Sequence, residues 1–410
     1  MTNMKQAIFV DEMTPFKTKE EEWHPYAWFE DMRKHHPVSF HEGQQVWNVF
    51  TYDHVKRVLS DHELFSSVRD RTLVAPASQN DGTSDRTNIL FSDPPEHRRR
   101  RSLLSAAFTP RHLRSWEPRI QAIAEAFIDD IDPSREIDIV KSLANPFPIT
   151  VIAELLGVPP EDRHLFQQWV EIIFLPFDKE NMSDLNKRKA AAAQAFSDYL
   201  QPIIKEKRVH PADDIISDLI NAERDGEPLT EEEIIKMTRG LLGAGLETTS
   251  HLITNCFYAF LYDSPGIYRK LREDPELVPQ AIEEVLRYRF HIMKMERRVK
   301  KDTDVLGPEM KEGEMIVAWM SAANLDEQTF DHADQFDIDR PNNRKHLTFS
   351  TGPHFCLGAP LARLEVKTIL TGFIKRFSNI RSIPSFDLES HLSHSIFGQS
   401  LNSLPILAER

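Results

Sequence analysis

Toward its C-terminal end the chain reads Phe349-Ser-Thr-Gly352-Pro-His354-Phe-Cys356-Leu-Gly358-Ala-Pro360. This stretch places a cysteine in a glycine-containing loop, just before a predicted helix that begins with a proline in its first turn. A helix N-terminus lowers the pKa of a thiol, the glycines let backbone amides approach the sulfur, and Phe349 is positioned to cover it. A shielded thiolate suits a soft metal ion as a ligand. The alternative is a small buried cysteine beside a helix cap.

A long helix upstream is the second informative segment. The capping box Thr230-x-x-Glu233 begins it, and its periodicity continues to about residue 262. One arc of this helix carries small and polar side chains, which leave room for something flat beside it. The members of that arc are Gly240, Ala244, Glu247, His251 and Asn255.

Glu247 and Thr248 stand side by side in the middle of this helix. An adjacent acid and alcohol are typical of a proton relay. The threonine hydroxyl can bond a carbonyl one turn back and open the helix locally, which makes room for water. The alternative is a solvated glutamate beside an ordinary helix threonine.

Composition limits the class of protein. The chain has 410 residues, of which only 14 are Gly against 26 Pro, so helices interrupted by prolines are favoured over hairpins or a dinucleotide-binding fold. The formal charge of −14 disfavours nucleic-acid binding. Two cysteines suit a reducing compartment. No signal peptide or membrane span is predicted, so we expect a cytoplasmic protein, and a monomer.

The predicted fold is mainly α with small β-sheets (α+β). The chain is expected to form one domain over residues 1–410, with a hairpin at 38–50 and helices over most of the remainder. The polar segment 69–90 predicts a long mobile loop, which is either a substrate lid or simple disorder.

Glu284 and Arg287 form the third local signal, at positions i and i+3 of a predicted helix. A helical wheel places both opposite the apolar face. On that basis they form an exposed pair that contributes little to stability.

Together these motifs resemble the cytochrome P450 family of haem-thiolate monooxygenases. The cysteine loop matches the family pattern F-x-x-G-x-H-x-C-x-G, and the acid–alcohol and E-x-x-R helices precede it in the right order. The segments 93–101, 321–326 and 336–341 also resemble family segments, and the likeness spans residues 23–407. It implies the P450 fold, in which a long central helix and the cysteine-ligand loop sandwich haem b.

The resemblance assigns roles to individual residues. Cys356 would be the metal ligand, the thiolate on the haem iron. The other cofactor-binding residues would be His97, Arg101, Arg297, His354, Phe349, Gly358 and Ala244. The histidines and arginines among them would bind the haem propionates, with Arg298 as the alternative to Arg297. Glu284, Arg287 and Arg340 would form a buried structural network behind the cysteine loop, against the wheel.

The catalytic residues implied by the resemblance are Glu247 and Thr248, which would deliver protons. Two electrons per turnover would come from a separate ferredoxin or flavodoxin with an NAD(P)H reductase. The partner would be steered to the basic run at residues 98–101. The substrate would be an apolar small molecule of fatty acid, steroid or terpenoid type. By position, the substrate-binding residues would be Val170, Phe174, Leu241, Ile292, Met293, Ile396 and Phe397, besides loop 69–90.

One departure from the family and three alternative functions stay open. After Arg287 the family commonly has a proline-containing apolar segment, whereas this chain has His291 and Lys294 there. These two side chains either recognise an acid or hydroxyl in the pocket or face solvent. The alternative functions are a peroxide-driven peroxygenase, a non-catalytic haem protein that binds gas, and a hydrolase that uses Cys356 with His354.

Overall fold

α-Helices make up most of the structure. The computed structural model describes residues 7–69, 71–73, 89–105, 108–173, 175, 182–224, 227–393 and 398–410. The helices are α1 (Lys19–Trp23), α2 (Tyr26–His35), α3 (Tyr52–Ser60), α4 (Glu96–Ser105), α5 (Pro110–Asp129), α6 (Pro146–Leu156), α7 (Arg163–Ile173), α8 (Met182–Val209), α9 (Ile215–Asn221), α10 (Glu231–Tyr258), α11 (Ile267–Glu273), α12 (Val278–Tyr288), α13 (Met320–Ala323), α14 (Ala359–Arg376) and α15 (Leu388–His391). The mainly α fold with small sheets is therefore confirmed.

In the ranges that the structure describes, three small sheets accompany the helices. The strands are β1 (Val38–His41), β2 (Val46–Val49), β3 (Phe65–Ser66), β4 (Ile137–Asp138), β5 (Glu223–Arg224), β6 (Glu227–Pro228), β7 (Met295–Val299), β8 (Met315–Ala318), β9 (Asn379–Ser382) and β10 (Pro405–Glu409). Their orders are β1-β2-β8-β7-β3, β4-β10-β9 and β5-β6, and only the β2–β8 pair is parallel. The predicted hairpin is confirmed, with Val38 opposite Val49 and His41 opposite Val46.

The long helix α10 runs through the largest hydrophobic core. The Thr230 side chain accepts a hydrogen bond from the Glu233 amide, and the Glu233 carboxylate accepts one in return, as the capping box predicts. The helix continues to Tyr258 and passes into a π-helical turn over Ala259–Asp263, so its predicted end near residue 262 is correct. Its neighbours are α6, α8, α12 and α14.

Helix α6 is the longest helix that sequence patterns missed. Nine of its 11 residues are buried, so it has no polar face and no amphipathic period to detect. Pro146 occupies its first turn, where a proline costs no hydrogen bond. The helix ends at Gly157, whose φ of +74° and close contact with Asp214 both require glycine.

No helix in the described ranges is long and apolar enough to cross a membrane. Two further apolar clusters lie on the sheet side of the molecule. One joins α3 to strands β7 and β8, and the other joins α2 to β2 and Trp319. The five-stranded sheet is thereby fixed beside the helical core, and β7 is positioned to project side chains toward the cysteine loop.

Candidate active site

The cysteine loop has a fixed backbone shape. A 3-10 turn over Gly352–His354 precedes Cys356, whose amide donates to the Phe349 carbonyl at 2.8 Å. Gly352 has φ of +69°, and a Cβ there would lie 2.7 Å from the Ser60 Cα atom, so only glycine fits. Helix α14 begins three residues after the cysteine, as the sequence predicts.

The Cys356 thiol is partly buried and has no disulfide. Hydrogen bonds from the Gly358 and Ala359 amides and the positive charge of Arg101 lower its pKa, but burial outweighs them and raises it. The expected low thiol pKa is therefore wrong for the protein by itself, because desolvation of the thiolate exceeds the helix effect. A cation bound to the sulfur would reverse that balance.

Two histidines from distant parts of the chain meet beside this loop. The rings of His97, on α4, and His354 have their centroids 4.0 Å apart. Burial, followed by the charge of Arg101, lowers the pKa of His97 to about 4. Burial, followed by the charges of Arg297 and His97, lowers the pKa of His354 to about 2. Both imidazoles are therefore neutral near pH 7.

Two arginines complete this group. Burial lowers the pKa of Arg297 to about 10, and that of Arg101 is also lowered by burial. Arg101 donates to the Pro353 carbonyl at 3.3 Å. The buried Arg297 Nη2 and His354 Nε2 atoms have no hydrogen-bond partner in the described part of the chain. Unpartnered donors beside two arginine cations call for an anionic ligand, and the two propionates of a haem would supply it.

Glu284, Arg287 and Arg340 form one buried network. Glu284 and Arg287 are 0% exposed, so the wheel's exposed pair is wrong. Arg287 donates from Nε and Nη2 to the two Glu284 oxygens at 2.9 and 2.7 Å, and Arg340 Nε donates to the same carboxylate at 3.3 Å. The polar segment 324–341 covers the face of α12 that the wheel assigned to solvent.

The small arc of α10 lies open. Ala244 is exposed, and no atom of another element lies within 4 Å of a Cβ placed on Gly240. The Thr248 hydroxyl donates to the Ala244 carbonyl at 2.8 Å, yet α10 continues without a break, so the expected local opening of the helix is absent. A flat group fits against this arc without displacing a side chain.

Lys189 is a buried residue that sequence reasoning missed. This side chain of α8 is fully buried, and its Nζ donates to the Leu175 carbonyl at 2.6 Å. Burial lowers the pKa of Lys189 to about 8, although the negative charge of Glu247 opposes that shift. No sequence pattern pairs α8 with α10, because the two residues are 58 positions apart and only the packing of the helices brings their charges together.

The predicted substrate-binding residues that the structure describes pack against three different apolar clusters. Leu241 and Ile292 are partly buried, whereas Met293 packs in the apolar cluster around Trp319. The side chain of Val170 lies outside the described part of the structure. So do Phe174, Ile396 and Phe397, and nearly all of loop 69–90.

His291 and Lys294 are both buried. Their solvent-facing interpretation is therefore wrong. Burial, followed by the charge of His251, lowers the pKa of His291 to about 3. Lys294 Nζ lies 5.6 Å from the centre of the Trp319 ring, a cation–π contact.

The predicted basic run at residues 98–101 is split between two environments. The Arg99 side chain is 59% exposed and Arg98 is exposed, but the Arg100 side chain is only 11% exposed and donates to Glu96 at 3.2 Å. Phe355, next to the cysteine, is 43% exposed. The surface charge on α4 therefore comes from two arginines rather than four.

Comparisons with known proteins agree with this geometry. A family model described as Cytochrome P450 matches residues 13–382. Cytochrome P450(MEG) from Priestia megaterium is 55% identical over 409 residues, which cover 99% of this chain and all of the relative. Erythromycin C-12 hydroxylase from Saccharopolyspora erythraea is 36% identical and covers 93% of this chain and 94% of its own. The crystal structure of CYP109E1 from Bacillus megaterium in complex with corticosterone has a TM-score of 0.84 at 39% identity, with 95% and 100% of the two chains covered.

Proposed function

Because the chain belongs to the cytochrome P450 family, we propose that it is a haem-thiolate monooxygenase that hydroxylates an apolar small molecule. Bound haem would supply the activation of O2, of which one oxygen atom enters a C–H bond and the other leaves as water. The observation that carries the proposal is Cys356. Its sulfur accepts hydrogen bonds from two backbone amides and is not part of a disulfide.

Cys356 would bind the haem iron through its sulfur. The amides of Gly358 and Ala359 donate hydrogen bonds to that sulfur and thereby stabilise the negative charge of the thiolate. The ring of Phe349 packs between the loop and Arg363, whose guanidinium carbon lies 4.6 Å from the ring centre. This packing keeps water away from one side of the loop.

His97, Arg101, Arg297 and His354 would hold the propionates. Their donors come from three separate elements, namely α4, β7 and the cysteine loop, so they fix the cofactor relative to all three. We propose haem b, because the sequence has no C-x-x-C-H motif through which a haem could be covalently attached.

Glu247 and Thr248 would deliver protons to the oxygen that haem activates. The Thr248 hydroxyl donates to the Ala244 carbonyl, so its oxygen is left to accept a hydrogen bond from a water molecule. Glu247 would supply that replacement, and the buried ammonium of Lys189 nearby would favour its charged form.

The substrate is proposed to be of fatty acid, steroid or terpenoid type. The relative CYP109E1 was crystallised with corticosterone, so a steroid is the first class to test. Two electrons per turnover would come from a ferredoxin or flavodoxin, because the chain's two cysteines cannot ligate an iron–sulfur cluster. A cytoplasmic location, a monomeric state and a single domain over residues 1–410 stay predictions.

Cys356→His tests the thiolate assignment. The reduced wild-type protein should bind carbon monoxide and show the strongly red-shifted Soret band of thiolate ligation, whereas the variant should keep haem and lose the shift. Cys256→Ala is the matched control, because it removes the chain's other cysteine, which is buried on α10. A Cys356→His protein with the wild-type spectrum would contradict the assignment of Cys356 as the thiolate ligand. Product formation from corticosterone with a surrogate ferredoxin and reductase then tests the substrate class.

A further inference from the structure

Four polar atoms beside α10 have no hydrogen-bond partner in the described ranges. They are the Nδ1 atoms of His251 and His291, Oδ1 of Asn255 and Oγ of Ser400. Three of the four side chains, those of Asn255, His291 and Ser400, are at most 2% exposed. Buried polar atoms are nearly always hydrogen-bonded, so a group of four points to ordered water between them.

Hydrogen bonds connect the elements that carry these atoms. Asn255 Nδ2 donates to the Gln399 carbonyl at 3.4 Å, which joins α10 to the segment that contains Ser400. The Gln399 amide donates to the Phe290 carbonyl, and the Phe290 amide donates to Gln399 Oε1, both at 2.7 Å. His291, the next residue, is therefore held against the same side of α10. His251 lies on this side as well, because it precedes Asn255 by one helical turn on the same arc of α10.

A small cavity lies at the outer end of this group. It has a volume of about 20 Å³, and Gln399 and Ser400 form part of its wall. Lys19 and Glu22, which are partly exposed, form its rim. A cavity holds one water when it offers roughly 10–15 Å³ of such space and two or more polar partners, so this one has room for a water that exchanges with solvent.

The inner end of the group reaches the proposed catalytic pair. His251 lies three residues after Thr248 and four after Glu247, on the same arc of α10. At a rise of ~1.5 Å per residue, Asn255 and Thr248 are roughly 10 Å apart along the helix axis. The imidazole of His251 and two or three waters at hydrogen-bond spacing would span that distance.

We propose that Asn255, His291, Ser400 and His251 hold a chain of internal water that carries protons from the Lys19–Glu22 cavity to Thr248 and Glu247. The inference rests on the proposed function, since a monooxygenase consumes two protons and two electrons as one oxygen atom enters the substrate and the other leaves as water.

Each transfer moves one proton without changing any oxidation state. A solvent proton enters the outer water, the hydrogen bonds along the chain reverse, and one imidazole nitrogen of His251 gains a proton as the other releases one. The released proton passes to the Thr248 hydroxyl or the Glu247 carboxylate. A neutral imidazole is suited to this role because it has one donor and one acceptor nitrogen.

A crystal structure of the haem-loaded protein at high resolution tests the path without turnover. We expect ordered waters within hydrogen-bond distance of Asn255 Oδ1, His291 Nδ1 and His251 Nδ1, connected in one chain to the cavity. Dry surroundings at these atoms, or direct bonds between them that leave no room for water, would overturn the proposal.

Two substitutions at one position separate proton transfer from packing. His251→Leu should lower the ratio of product to NAD(P)H roughly tenfold, raise peroxide release and increase the ratio of turnover in H2O to turnover in D2O. His251→Asn keeps a side chain that binds water and should restore much of the yield. Ser250→Ala is the control, because its hydroxyl bonds Asn145 away from this arc and should leave both ratios unchanged.

The outcomes distinguish this path from the proposed function. If wild-type protein lacks the red-shifted carbonyl spectrum or yields no product with any tested substrate, the proposed function has failed first. If the wild type hydroxylates substrate and Thr248→Ala uncouples it, but His251→Leu matches the wild type in both ratios, the enzyme assignment stands and the water path is wrong.

Discussion

Arg287→Ala is the substitution whose cost follows most directly from the structure. The Arg287 guanidinium makes five hydrogen bonds, two to Glu284 and one each to the carbonyls of Asn324, Ala333 and Gln335. All of these contacts lie at 0% exposure of the Arg287 side chain, so water cannot replace them. The substitution therefore removes a whole cation from the interior rather than a surface charge.

The carboxylate left behind determines the size of the effect. Glu284 accepts four hydrogen bonds in the intact protein and keeps two of them in the variant, from the Asp337 amide at 3.0 Å and from Arg340 Nε at 3.3 Å. Breaking a buried ion pair by removal of one partner typically costs roughly 3–5 kcal/mol. The retained Arg340 contact keeps the expected loss within that range rather than above it.

This loss of unfolding free energy corresponds to a decrease in the melting temperature. An unfolding entropy of about 2.1 cal/mol/K per residue gives roughly 0.9 kcal/mol/K for 410 residues. A destabilisation of roughly 3–5 kcal/mol then lowers Tm by roughly 3–6 °C. We also expect less haem per chain, because Arg287 fixes segment 324–341, which leads directly into the cysteine loop. Thermal unfolding by circular dichroism and haem absorbance per protein measure both effects.

Arg135→Ala is the matched control. Arg135 pairs with Asp132 at the same i, i+3 spacing and 3.1 Å, but its side chain is 82% exposed and that of Asp132 is 51% exposed. Solvent screens such a pair, so Tm and haem content should stay at wild-type values. If the Tm of Arg287→Ala equals that of Arg135→Ala and the variant binds haem normally, then burial does not make this network stabilising. That result would refute the reasoning.

Two further predictions concern turnover. Thr248→Ala should still bind substrate and consume NAD(P)H but form ~10²-fold less product and more peroxide, because one participant in proton transfer is lost; an unaltered ratio of product to NAD(P)H would make Thr248 only a helix residue. Arg98→Glu with Arg99→Glu should slow electron transfer from an acidic ferredoxin, whose wild-type rate should fall as salt rises past ~0.1 M, where the screening length is about 10 Å. Arg100→Glu is the less informative choice, because its side chain is only 11% exposed. An electron-transfer rate that changes neither with salt nor with charge reversal would contradict docking of the ferredoxin on α4.

Elements with a local signal could be predicted from the sequence. The capping box at Thr230 and the polar arc defined α10, and the alternation around residues 38–50 defined the first hairpin. Helix α6 had no such signal, because a helix buried on all sides shows neither a polar face nor an amphipathic period. Its existence depends on the neighbouring helices α5 and α10 that cover it, and a single sequence does not specify that packing.

The site residues also differ in whether a local sequence pattern indicates them. The Gly358 amide approaches the Cys356 sulfur, as the glycine-containing loop predicts, whereas Gly352 is required for its positive φ and its tight approach to Ser60, which the sequence did not indicate. The pairing of His97 with His354 was not predictable from either local pattern, since 257 residues separate them and only the packing of α4 on the cysteine loop brings the rings to 4.0 Å. The family resemblance supplied that pair in place of local physics.

The group of His97, Arg101, Arg297 and His354 also explains why haem binding and folding should be linked in this chain. Burial of His354 and Arg297 lowers the pKa of each group, which means that the protein by itself disfavours their charged forms. Each also keeps one buried donor without a partner in the described structure. An anionic ligand removes both costs at once, whereas the unfolded chain gains nothing from it. Haem should therefore stabilise the native state, by a free energy that grows with the logarithm of its affinity.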